Sequence, residues 1–241
     1  MELADPPSGQ HFQSGSAAHW LALGACLLMV VSFALAGHRA RRAGDEKAMR
    51  SLRLVAGWGC LVAWVVNTAF WCLPGRFDWS ISLPLQFCNL ANLIGAAAVL
   101  GRGRYWKTIL YFWMPTLCLW AFLTPVLRGG PATVEFWIFW GYHVFIPLAL
   151  AEVLAVQGYR PGWADFRGAW LFTVGYMAAL AVLDHRFGWN YGFVGPSKPD
   201  TATLIDFLGP YPWRLLSMIG VGTGLFLLVL LPGLQPGKRT G

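Results

Sequence analysis

Long apolar stretches, separated by short polar clusters, recur along the whole chain. Each can cross a hydrocarbon core of ~30 Å at a rise of about 1.5 Å per residue. The pattern predicts an all-α, polytopic integral membrane protein, a seven-transmembrane-helix bundle with its N-terminus outside and its C-terminus cytoplasmic. The predicted spans are about 18–36, 52–72, 82–100, 105–127, 133–156, 166–186 and 213–231. A disordered lead over 1–17 precedes them, an outer loop covers 187–212, and a cytoplasmic tail covers 232–241. Pro84 falls in the first turn of the third span, where a missing N–H costs nothing. Pro115, Pro125 and Pro147 lie inside spans four and five, and each removes a hydrogen bond to the carbonyl four residues earlier. Gly220, Gly222 and Gly224 in the last span read as a seam for close helix packing.

Composition agrees with the pattern. A chain of 241 residues that is 56% hydrophobic and 12% charged, with 14 Trp and 16 Phe, is not an ordinary soluble domain. The net charge of +7 would suggest a nucleic-acid partner in a soluble protein; here the basic residues sit in short loops beside apolar spans, so no nucleic acid is expected. With the N-terminus outside, 13 of the 18 Lys and Arg fall on inner loops and the tail, as the positive-inside rule requires. Five of them, Arg39, Arg41, Arg42, Lys47 and Arg50, lie in an inner loop expected over Gly37–Arg50. The five cysteines show no paired spacing, which argues against a disulfide framework or a zinc site; no metal and no cofactor are expected.

One stretch breaks the apolar pattern: Leu83-Pro84-Leu85-Gln86-Phe87-Cys88-Asn89-Leu90-Ala91-Asn92. At 100° per residue, Gln86, Cys88, Asn89 and Asn92 share one helical arc of roughly 160°. Unpaired amides in hydrocarbon cost several kcal/mol, so this arc should face the bundle interior or a water-filled cavity. Span three starts outside near Ser82, which puts Cys88 roughly 9 Å along it, and span five starts near Thr133, which puts His143 roughly 15 Å along. Asn67 and Asp184 approach the same outer layer, whereas the inner layer offers only Glu152 and Thr173.

A thiol with an imidazole in reach is the minimum for an activated nucleophile, so Cys88 and His143 are the candidate catalytic pair. Gln86, Asn89 and Asn92 are candidates for stabilising an oxyanion or binding a headgroup, and Asn67, Asp184, Asn190 and Tyr191 for further substrate contacts. Asp184 either orients the imidazole or pairs with Arg186 or water. The 187–212 segment, with Trp189, Tyr191, Tyr211 and Trp213, reads equally as a lid or as an interfacial aromatic belt.

The Leu-Pro-Leu-Gln-Phe-Cys stretch at 83–88, the histidine in span five, Asn190-Tyr191, Lys198-Pro199 and the run Leu204 to Trp213 resemble the bacterial YwaF-type membrane proteins, related to eukaryotic transmembrane protein 164. More distantly the pattern is similar to the androgen-induced membrane lipid hydrolases. The resemblance implies an acyltransferase of the bacterial inner (plasma) membrane, with Cys88 as acyl acceptor, His143 as its histidine, and a membrane phospholipid or lysophospholipid as substrate. The expected function is transfer of a lipid acyl group to a lysolipid or to water. The rival is a transporter or receptor binding a small polar solute at the same layer, against which the lack of a paired half-chain repeat counts.

Overall fold

The computed structural model describes residues 11–101, 103–197 and 203–234. The expected tail over 232–241 thus lies largely outside the described residues. The fold is all-α, and each of the seven expected spans has a helical counterpart: α1 (Ala17–Ala43), α2 (Glu46–Trp71), α3 (Phe87–Leu100), α4 (Arg104–Trp113) with a π-turn (Met114–Cys118) and α5 (Trp120–Leu123), α6 (Val134–Ala155), α7 (Trp163–Phe187) and α8 (Trp213–Leu234). Five of these, α1, α2, α6, α7 and α8, are long and apolar enough to cross a membrane. Large apolar side chains such as Leu21, Leu28, Val62, Leu171 and Leu228 point outward, as a lipid-facing surface requires. This is the architecture of a polytopic membrane protein.

The basic stretch after the first span is helical, not a loop. Gly44, at φ 65°, closes α1 by donating to the carbonyls of Ala40 and Arg41, and Asp45 caps α2 by accepting from the Ala48 amide. The connection therefore shrinks to two residues, and Arg41 and Arg42 sit in the last turn of α1, where the helix dipole favours them. At the other end, residues 11–16 of the expected lead are tied down: the Phe12 amide donates to the Arg128 carbonyl at 2.8 Å, and His11 bridges Gly129.

The third and fourth spans depart most from expectation. α3 begins at Phe87 and not near Ser82, so Pro84 lies in the turn before the helix and Gln86 is its N-cap. With only 14 residues, α3 extends about 21 Å, less than a hydrocarbon core. The fourth span is interrupted by the π-turn around Pro115, and Pro125 lies beyond the helix altogether. Side chains complete the broken ladder: Thr116 Oγ1 donates to the Phe112 carbonyl at 2.5 Å and Trp120 Nε1 to the Thr116 carbonyl at 2.8 Å.

α6 is the central helix, packing against α1, α2, α3 and α4, while α7 leans on α4 and α8 on α7. About two thirds of its apolar window is buried (67%), against 11% for α1 and for α8. Close approach around α6 depends on glycines in α2 and α3, not on the Gly220, Gly222 and Gly224 of α8, which have no neighbour within 4 Å where a Cβ would stand. A Cβ on Gly95 would lie 3.0 Å from Cys60 Sγ and 3.2 Å from Ala149 Cβ. That seam lets α2, α3 and α6 meet.

The layer expected to be polar-poor is also richer than anticipated. Glu152, fully buried in α6, accepts from Arg53 Nε at 3.3 Å and from Gln157 Nε2 at 2.5 Å. Asp165 receives a two-pronged bond from Arg104, at 2.9 and 2.6 Å. Ion pairs brace this end of the bundle; at the other, amides and thiols gather around Cys88.

Gly95→Leu is expected to overpack the α2–α3–α6 seam and lower stability by about 1–3 kcal/mol, read as a fall in thermal midpoint in lipid nanodiscs, whereas Gly222→Leu leaves the midpoint unchanged.

Candidate functional site

Cys88 occupies the first turn of α3, closer to the helix N-terminus than the sequence suggested, because the turn at 83–86 is held open from outside the helix. The Leu83 amide donates to Tyr191 Oη at 2.9 Å, the Leu85 carbonyl accepts from Tyr176 Oη at 2.7 Å, and Gln86 Oε1 accepts from the Gly192 amide at 2.9 Å. These partners replace the bonds another helical turn would have made. Gly192 is at φ 63°, and a Cβ there would lie 2.7 Å from the Phe87 ring, so only glycine lets the outer loop close onto this turn.

Cys88 Sγ lies within hydrogen-bonding reach of two side chains from other segments: the His143 imidazole of α6 and the Cys118 thiol at the end of the π-turn. His143 is buried, and its Nδ1 is 2.7 Å from the Phe139 carbonyl. A carbonyl only accepts, so Nδ1 carries the proton and Nε2 of the neutral ring keeps the lone pair. Phe139 and Tyr142 flank the ring at centroid distances of 4.2 and 4.6 Å. The imidazole is thus oriented by a backbone carbonyl and two aromatic rings. Asp184, considered for that task, sits elsewhere: its buried carboxylate faces the Tyr191 amide.

The asparagines of the predicted polar arc do not share one target. Asn89 Oδ1 accepts from Asn67 Nδ2 of α2 at 3.3 Å. Asn92, fully buried, donates from Nδ2 to its own helix at Cys88 O and across to Tyr142 O of α6, each at 3.2 Å. Asn92 Oδ1 is buried without a partner, and the buried Tyr142 hydroxyl lies beside the Asn92 amide. Tyr142 also lies in electrostatic reach of Cys88 and Cys118. An amide acceptor without a partner, beside a phenol, a thiol and an imidazole, is what a bound polar group would satisfy.

Asn190 and Tyr191 serve the loop itself. Asn190 Oδ1 accepts from the Gly195 amide at 3.1 Å, and Tyr191 Oη, besides receiving Leu83, donates to the Trp79 carbonyl at 2.7 Å. Arg214, buried at the start of α8, donates to the carbonyls of Gly195 and Ser197. Of the predicted site residues, Cys88, His143 and Asn92 converge directly, Asn89 with Asn67 forms an adjoining pair, and Gln86, Asn190, Tyr191 and Asp184 belong to the loop contacts above them.

A comparison with protein families matches the TMEM164 family over residues 14–230. The chain belongs to the TMEM164 family. The match spans every described helix up to the last residues of α8. Comparison with curated proteins and with solved structures finds no match to either.

Sequence reasoning missed two members of the cluster, Cys118 and Tyr142. Cys118 has no polar neighbour in sequence, and the one signal near it was Pro115, whose missing N–H accompanies the π-turn that brings Cys118 to Cys88. Tyr142 precedes the chosen histidine, and α6 alone gives no sign that adjacent residues both face α3. Among the described residues no group of His, Cys, Asp and Glu has a metal-binding arrangement.

Tyr191→Phe is expected to leave the Leu83 amide and Trp79 carbonyl without their partner and to cost about 1–3 kcal/mol in denaturant unfolding. Burial raises the Tyr191 phenol from 10.0 to about 12. The folded state therefore holds this proton more tightly than the unfolded chain. The hydroxyl's contribution is complete below about pH 10 and lost as pH rises toward about 12, so the stability gap between wild type and Tyr191→Phe closes over that window.

Proposed function

We propose that this TMEM164-family protein is a membrane lipid acyltransferase or acyl hydrolase in which Cys88 is the nucleophile and His143 its base. The observation that supports this reading is the contact of Cys88 with an imidazole whose Nδ1–H is committed to the Phe139 carbonyl. Nε2 takes the thiol proton, and the thiolate attacks the ester carbonyl of a phospholipid. The carbonyl oxygen gains the negative charge, for which the Tyr142 hydroxyl, in electrostatic reach of Cys88, is the candidate donor. Collapse of the intermediate breaks the ester C–O bond, the departing lysolipid alkoxide takes the proton from His143, and the acyl group stays on Cys88 as a thioester. A lysolipid hydroxyl or water, deprotonated by His143, then attacks the thioester and releases the thiol.

Asn92 and Asn89, with Asn67 behind it, hold the polar wall around the reacting ester, and Gln86, Asn190, Tyr191 and Asp184 fix residues 190–195 beside it. With the N-terminus outside, as the distribution of Lys and Arg favours, the site draws on the outer leaflet of a bacterial plasma membrane. The chemistry needs neither metal nor nucleotide.

The test is incubation in nanodiscs with a phospholipid bearing an alkyne-tailed acyl chain, followed by peptide mapping. A hydroxylamine-sensitive adduct is expected at Cys88, absent in Cys88→Ala, retained in Cys118→Ala and formed about 10²-fold or more slowly in His143→Ala. A folded wild-type protein without an adduct at Cys88 would sink the reading and turn the same polar atoms into a pocket for a small polar solute.

A further inference from the structure

A groove of about 270 Å³ runs along the outer seam of α2 and α6. Val62 and Val66 form one wall, Ile138 and Phe145 the other, and Gly141 and Tyr142 lie between. Val62 and Val66 are exposed, so on a lipid-facing surface the groove opens sideways into hydrocarbon. No charged side chain lines it. A headgroup or polar solute would lose its hydration there without recompense, whereas an alkyl chain loses nothing.

Two observations tie the groove to the Cys88 cluster. Tyr142 belongs to both: it lines the groove, is about 95% buried (5% exposed), and its hydroxyl lies beside Asn92 in electrostatic reach of Cys88 and Cys118. The groove is also open where Gly141 lacks a side chain, since a Cβ there would meet nothing within 4 Å. Elsewhere on this seam glycine serves close packing, as at Gly59, where a Cβ would strike the Phe145 ring. At Gly141 it serves vacancy.

We propose that the α2–α6 groove holds one fatty acyl chain of the substrate phospholipid and that Gly141 sets how much chain it admits. The inference rests on the acyl-transfer reading for its substrate, and it adds where the chain lies and which residue measures it. The ester end of a chain in this groove meets the Tyr142 hydroxyl beside Cys88, while the chain's tail stays in contact with the bilayer through the open side. A β-carbon at position 141 enters the groove without meeting a neighbour within 4 Å, and leucine is a better helix former than glycine.

The experiment uses the full chain in nanodiscs containing phosphatidylcholine with a mid-chain diazirine, photolysed and mapped by mass spectrometry, for wild type, Gly141→Ala and Gly141→Leu. Thermal midpoints report folding, and acylation of Cys88 by alkyne-tailed phospholipids with short and long chains is measured in parallel. Adducts at Val62, Val66 and Ile138 are expected several-fold above those on the outward faces of α1 and α8, reduced in Gly141→Ala and lost in Gly141→Leu. Gly141→Leu should also shift acylation toward the short chain by about tenfold. Groove labelling no greater than on α1 and α8, or unchanged in a folded Gly141→Leu, overturns the inference even if Cys88 is acylated. Groove labelling that depends on Gly141, with Cys88 never acylated, keeps the chain site and removes the acyl-transfer reading.

Discussion

The amide of Asn92 is the contact on which the polar end of the bundle depends. Its Nδ2 donates to Cys88 O within α3 and to Tyr142 O across the interface, both at 3.2 Å, from a side chain with no exposure. An amide cannot stay unpaired in hydrocarbon, so these two carbonyls fix the height of α3 against α6. That height brings Cys88, one turn before Asn92, to His143, the residue after Tyr142. An apolar residue at position 92 would still pack, but nothing would select this register over a neighbouring one.

Around that contact the backbone is irregular in three helices. α3 starts late, the fourth span passes through a π-turn, and Pro147 in α6 leaves the His143 carbonyl without its usual donor four residues on. Such breaks are tolerated at membrane depth only where protein surrounds them. Tyr176, Tyr191 and Gln86 supply that enclosure for α3, and Thr116 and Trp120 for the π-turn. Both thiols of the cluster lie in the interrupted spans. A regular α3 and a regular fourth span would have presented different faces to α6.

The two ends of the bundle satisfy their polar groups by different chemistry. Arg53 with Glu152 and Arg104 with Asp165 are ion pairs in which a water-facing arginine reaches a buried or nearly buried carboxylate. The cluster around Cys88 uses carbonyls, amides and an imidazole, and leaves Asn92 Oδ1 without a partner. Unmet hydrogen-bonding capacity there suits a site that receives a ligand's polar group, while the charged end holds the helices together. Residues 189–197, anchored through Tyr191, Asn190 and Arg214, form a packed segment and not a free linker.

How far the sequence reached follows from the range of the forces involved. The helical passages were legible because apolar stretches of membrane length have few alternatives to the helix, and the meeting of Cys88, Asn92 and His143 in one layer was legible because polar groups in such stretches are costly. Family membership was legible from the Leu-Pro-Leu-Gln-Phe-Cys and Gly-Pro-Tyr-Pro-Trp stretches. The sequence did not give the start of α3, since local pattern could not show that Tyr176 and Tyr191, about a hundred residues later, would satisfy the turn at Leu83–Gln86. It did not give Cys118 or Tyr142, because their place beside Cys88 comes from a π-turn and from the register of α6. Nor could it show which glycines separate helices and which leave a groove. Periodicity and hydropathy fix each helix alone; the contacts between helices, which decide the chemistry, exist only once their register is set.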